Sequence, residues 1–208
     1  MFGCFKFITS VISTIIGGII LFMILFPCGG LNYIKNYISN SIKPPQKELV
    51  TDAKKIGDFS NIPPNTKLIR VIDMLGASAV ISKSEKTGQK MLVINPGWLL
   101  NITKSNLNAK TVESELNNLS KKLSNQPVKL SNLEVGKINS FKAFNQTVPY
   151  VKIKVSLTGN TNKSMEGIIG VIESPDKTSK LLVSVNDIGK YNQDISQKYF
   201  KSIKLNNQ

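Results

Sequence analysis

The chain has 208 residues, of which 41% are hydrophobic and 19% charged, with a net charge of +14, two cysteines and no histidine. Lacking histidine, it is without the commonest general base, the Ser-His and Cys-His nucleophile pairs, and most zinc and transition-metal sites. Both cysteines, Cys4 and Cys28, stand near the N-terminus, which excludes a disulfide scaffold or a cysteine metal site in the rest of the chain.

Residues 1–6 are a short N-terminal tail. Residues 7–26, FITSVISTIIGGIILFMILF, carry no charge. At a helical rise of about 1.5 Å per residue, this stretch matches the roughly 30 Å hydrocarbon core of a bilayer. A single transmembrane anchor is therefore expected over residues 7–27. The apolar run exceeds a signal-peptide core, and no A-x-A-like cleavage site follows it. Phe26-Pro27 before Cys28 does not fit a lipidation signal. Pro27 and Gly29-Gly30 end the apolar run. In residues 28–43, Leu31, Ile34, Ile38 and Ile42 recur at helical spacing, Tyr33 and Tyr37 are interface-loving, and Lys35 and Lys43 can reach headgroups. This pattern predicts an amphipathic juxtamembrane helix. Lysines stand on both sides of the anchor. Because long domains translocate largely regardless of charge, the folded part is expected outside the cytoplasmic membrane.

Residues 44–66 run between the proline pairs Pro44-Pro45 and Pro63-Pro64. They read as a stiff tether with a short helix near residues 48–56. Residues 67–208 form the domain. Strands are expected at 67–73, 78–83 and 89–95, the last two joined by the polar turn SEKTG. Across residues 106–124, Val112, Leu116, Leu119 and Leu123 share one helical face, with Asn108 as N-cap and Pro127 just beyond the end. Strands follow at 128–138, near Phe141 and Phe144, and at 149–159. In that last strand Val151, Ile153, Val155 and Leu157 alternate with Lys152, Lys154 and Ser156, so the lysines face water. A hairpin covers 165–174 and 180–187, and Gly167 and Gly170 read as strand glycines. Ile195, Tyr199 and Ile203 predict a closing amphipathic helix. Hairpin-length connections imply an antiparallel sheet, so the expected fold class is α+β.

No carboxylates pair at a catalytic or metal-binding spacing, and no P-loop or G-x-S-x-G motif occurs. No catalytic, cofactor-binding or metal residue is assigned, and no cofactor is expected. The positive charge favours anionic partners such as lipid headgroups or wall polymer. Its plainer meaning is a lysine-covered, solvated surface. Nucleic acid is disfavoured, because Arg70 is the only arginine among 27 basic residues and such sites lean on arginine. The candidate contacts to an anionic surface are Lys35, Lys43, Lys152 and Lys154.

Residues 90–205 resemble PsbP-like domains. The likeness is carried by a helix ending near Leu123, then LEVGKINSFKAF, the alternating strand PYVKIKVSL, the hairpin EGIIGVIESPDKTSKLLVSVND and the helix KYNQDISQKYFKSIKL. That resemblance implies an α/β/α sandwich, export or membrane attachment, and non-enzymatic work that binds a partner or assists assembly of a complex. The expectation is thus a membrane-anchored, non-enzymatic extracytoplasmic protein with a single integral span. One alternative is a structural subunit of a membrane machine that associates through its anchor helix. Another is a carboxylate- or lysine-based hydrolase.

Overall fold

Apolar runs of strand length separated by short polar turns leave each strand to pair with its neighbour in the chain. A computed structural model describes residues 45–74, 77–97, 102–122, 128–159, 162–174 and 178–205. Along the chain lie α1 (Gln46–Ala53), β1 (Thr66–Met74), β2 (Ala77–Ser84), β3 (Lys90–Asn95), α2 (Ala109–Lys122), β4 (Val128–Ala143), β5 (Gln146–Gly159), β6 (Lys163–Glu173), β7 (Ser179–Asp187) and α3 (Gln193–Ser202). The seven strands make one sheet in the order β1-β2-β3-β7-β6-β5-β4, and every pairing is antiparallel. Two meanders, β1–β3 and β4–β7, therefore meet where β3 pairs with β7. The crossover through α2 carries the chain from β3 to the far edge at β4.

Local chemistry explains the elements. Asn108 caps α2, its side-chain oxygen accepting from the Thr111 backbone N–H at 2.9 Å. Asn192 caps α3 in the same way, accepting from Asp194 and Ile195. β4 and β5 are joined by Phe144-Asn145 with φ of 53° and 56°, the mirror-image turn whose twist matches that of the flanking strands. β4 is a single 16-residue strand that continues through Gly136 by shifting register twice, between Leu130 and Asn132 and between Val135 and Ile138. Such bulges twist an exposed edge and blunt it against further pairing.

The sheet buries residues on both faces. On one, Val112 and Leu116 of α2 pack with Ile102 and Leu107 against Ile81, Leu92, Ile153, Ile169 and Val183. On the other, Tyr199 and Phe200 of α3 join Leu49 and Ala53 of α1, together with Ile56 and Phe59, over Val80, Met91, Val93, Ile168 and Leu182. Residues expected to lie in the linker thus supply part of the core, and Leu49, Ala53, Ile56 and Phe59 are each no more than 3% exposed.

The expected fold class, an α+β α/β/α sandwich preceded by a transmembrane helix, is corrected. The described chain is mainly one seven-stranded antiparallel sheet with three short helices of 8, 14 and 10 residues. Strand dominates it: β4 and β5 alone run for 16 and 14 residues. The membrane, single-pass part of the expectation is corrected likewise: among the described residues no helix is long and apolar enough to cross a membrane. The longest, α2, spans about 21 Å at the helical rise, short of a bilayer core. The apolar stretch 7–26 and the amphipathic segment 28–43 lie outside the described residues.

Candidate functional site

At one end of the sheet four strand termini come together. Lys83 in β2 lies directly opposite Lys90 at the start of β3. Asp187 closes β7, facing Met165 two residues into β6, which Lys163 opens. Lys190 follows in the turn after β7. Alternation places Lys83 with Ile81, Lys90 with Leu92, Lys163 with Met165 and Asp187 with Val185, on the face that α2 covers elsewhere. These side chains, with Thr87, Gly88, Met165, Val185 and Asn186, line an open cleft of about 190 Å³.

The cleft's electrostatics are lopsided. Lys163 Nζ lies 2.8 Å from an Asp187 carboxylate oxygen. The hydrogen bond from Lys163 holds the Asp187 carboxyl below the usual carboxylate range, and Lys190 and Lys90 act in the same direction. Asp187 is the one carboxylate among the residues lining the cleft, which include four lysines. The walls are pinned: the Asn186 side-chain amide donates to the Thr87 carbonyl at 3.3 Å and to the Lys190 carbonyl at 2.8 Å, tying the β2–β3 turn to the turn after β7.

Lys152 and Lys154 are placed elsewhere. Both are exposed on β5, on the opposite face of the sheet and toward its β4 edge. Lys154 stands in register with Glu134 of β4 and Glu166 of β6, and Lys152 with Ile168. Acidic cross-strand neighbours offset the charge of Lys154, so this surface is of mixed sign. Lys35 and Lys43 lie outside the described residues. The lysines that do converge were missed because each reads locally as a solvated residue at a strand end. The one available signal is that SEKTGQK, TNKS and NDIGK each put lysine beside a turn.

Buried polar groups behind the cleft are occupied in holding the fold. The fully buried Gln89 donates from Nε2 to Ser184 Oγ, Ser196 Oγ and the Asn192 carbonyl, and accepts from the Asn192 N–H. This fixes the start of α3 on the sheet. Tyr199 shares a 2.5 Å hydrogen bond with Ser82, and burial pushes its hydroxyl well above the usual range. Burial likewise pushes Tyr191 up to about 12, against the opposing effect of its hydrogen bond with Ser196. Neither phenol is poised to take up a proton near neutrality. At the other end of β7, away from the cleft, buried Lys180 donates to the Ile56 carbonyl at 3.1 Å, closing the turn after α1. Among the described residues no group of three or more Asp, Glu, Cys or His could hold a metal ion.

In comparison with known proteins, no protein-family model matches the chain, and no curated protein does.

Proposed function

We propose that this chain is a non-enzymatic binding protein that works at the outer surface of the cytoplasmic membrane and engages an anionic partner there. The observation that carries the reading is the cleft at the sheet end, where Lys83, Lys90, Lys163 and Lys190 are lining residues together with one carboxylate, that of Asp187. Such a set attracts and holds negative charge. Its one carboxylate is already engaged by Lys163 at 2.8 Å, which makes it a poor proton acceptor and weighs against the carboxylate-based hydrolase. The likeness of residues 90–205 to PsbP-like domains points the same way, toward partner binding. The uncharged run at residues 7–26 supports the membrane location.

The test has two arms. Protease treatment of intact cells is expected to degrade the domain while cytoplasmic markers survive; full protection would end the assigned location. Immobilised anionic polymer is expected to retain the full-length chain at low salt and release it at high salt, because exposed charge pairs are screened within about 10 Å at 0.1 M. Retention that ignores salt would end the electrostatic reading.

A further inference from the structure

Resting on that reading, we propose that the cleft between Lys83, Lys90, Lys163 and Lys190 is a phosphate site, which takes the phosphoryl group of a lipid headgroup or of a soluble phosphate-bearing molecule.

Two observations converge on phosphate. The first is the surplus of charge. Asp187 answers one ammonium, that of Lys163 at 2.8 Å, and still feels Lys190 and Lys90. A second carboxylate offers only two oxygens and one charge. A phosphoryl group offers more acceptor oxygens and, as a monoester, up to two charges, so it can answer several ammonium groups at once.

The second is the scaffold. The lysines come from four separate places in the chain, and backbone pairing sets where they stand. Lys83 is opposite Lys90 across β2–β3, Lys90 is opposite Val185 across β3–β7, and Asp187 is opposite Met165 across β7–β6. The Asn186 amide ties the two flanking turns together. Like charges are thus held close by the fold, a repulsion that a bound anion relieves.

Asp187 takes a defined role in this site. It is a resident counter-ion that an incoming phosphate must share Lys163 with, so it weakens binding and selects for the more highly charged anion.

The experiment uses the full-length chain in a neutral maltoside detergent, with inorganic pyrophosphate as the probe and calorimetry as the readout. Wild type is expected to bind, with affinity falling as salt rises. Lys83→Ala and Lys190→Ala are each expected to weaken binding roughly 10-fold, the scale of one lost charged contact, while leaving the thermal transition unchanged. Asp187→Asn is expected to tighten binding, a result that a merely structural carboxylate would not give. The pair Lys152→Ala and Lys154→Ala is expected to have no effect. Adding phosphatidylglycerol to the micelles separates the sources: loss of pyrophosphate binding assigns a lipid phosphate to the site, and undiminished binding assigns a soluble one. Pyrophosphate binding abolished by the Lys152/Lys154 pair but not by the cleft variants would overturn the site while leaving the anionic-partner reading in place. Wild type that binds neither pyrophosphate nor anionic polymer would overturn both.

Discussion

Gln89 and Asn192 exchange two hydrogen bonds: Gln89 Nε2 donates to the Asn192 carbonyl at 2.9 Å, and the Asn192 N–H donates to Gln89 Oε1 at 2.8 Å. A side-chain amide here does what a paired strand would do, and it does so with no exposure to water. The contact spans most of the domain in sequence and joins the turn beside the lysine cleft to the N-terminus of α3. Because the same amide also bonds Ser184 and Ser196, replacing it strands several buried polar groups. Gln89→Leu is expected to destabilise by about 3 kcal/mol, given about 1–3 kcal/mol for each group left without a partner. Urea unfolding of the full-length chain measures it. A loss below about 1 kcal/mol would mean that water takes over the amide's bonds.

Two glycines of the same sheet are expected to behave oppositely. A Cβ on Gly167 would lie 2.0 Å from the Ser184 carbonyl oxygen and 2.8 Å from Val185 Cγ1, so β6 and β7 would have to separate. Gly136 sits on edge strand β4, where a Cβ would meet nothing closer than 3.5 Å. Gly167→Ala should cost about 3 kcal/mol, the upper part of the usual overpacking range, and Gly136→Ala should stay within about 0.5 kcal/mol. Equal midpoints for the two variants in thermal unfolding would refute the close approach of β6 to β7.

How far the sequence carried the reading can be judged from single residues. The alternation of Val151, Ile153, Val155 and Leu157 against Lys152 and Lys154 identified β5 and its two faces, because a half-buried strand writes its period into the chain. Asn108 marked the start of α2 because a cap needs a side-chain acceptor at that position. By contrast, β4 runs unbroken past Ile138, where the expected strand ended; only its pairing with β5 shows that bulges absorb the extra residues. Residues 44–66 looked like a tether because proline pairs bracket them, yet Leu49 and Phe59 fill space that only the assembled sheet defines. The cleft was the least legible feature. Lys90 and Val185 become neighbours through the β3–β7 pairing, a long-range register that no local pattern encodes. Lysine is also the chain's ordinary solubilising residue, so its functional copies carry no mark of their own.

The hairpin between β4 and β5 offers a stabilising change. Phe144 and Asn145 both hold positive φ, 53° and 56°, a conformation that costs residues with a Cβ roughly 1–2 kcal/mol. Phe144 packs against the core beside α3, so replacing it would trade strain for lost contact. Asn145 is exposed and occupies the turn position that favours glycine. Asn145→Gly is expected to raise stability by about 0.5 kcal/mol, less than the full strain because asparagine tolerates this region better than most residues and glycine gains freedom when unfolded. Thermal unfolding checks the sign; a lowered midpoint would place some unrecognised contact on the Asn145 side chain.

The ion pair in the cleft gives a pH dependence with a definite direction. Lys163 holds the Asp187 carboxyl below its ordinary value of 3.8, through its hydrogen bond first and its charge second, with Lys190 and Lys90 adding to the effect. A carboxyl whose pKa is lowered by folding contributes stability that is fully present above the unfolded value of about 3.9 and is lost as pH falls through the folded one. The contribution is small because both partners are partly exposed. It is therefore best read at the group itself: the Asp187 carboxyl carbon, followed by NMR from pH 6 downward, should titrate below 3.8 in wild type and move upward in Lys163→Ala. Lys67→Ala, which removes a lysine paired with Glu85 outside the cleft, should leave it where it is. Unchanged titration in Lys163→Ala would show that Asp187 is held by the remaining lysines alone, and the shared-counter-ion role assigned to the Lys163–Asp187 pair would fall with it.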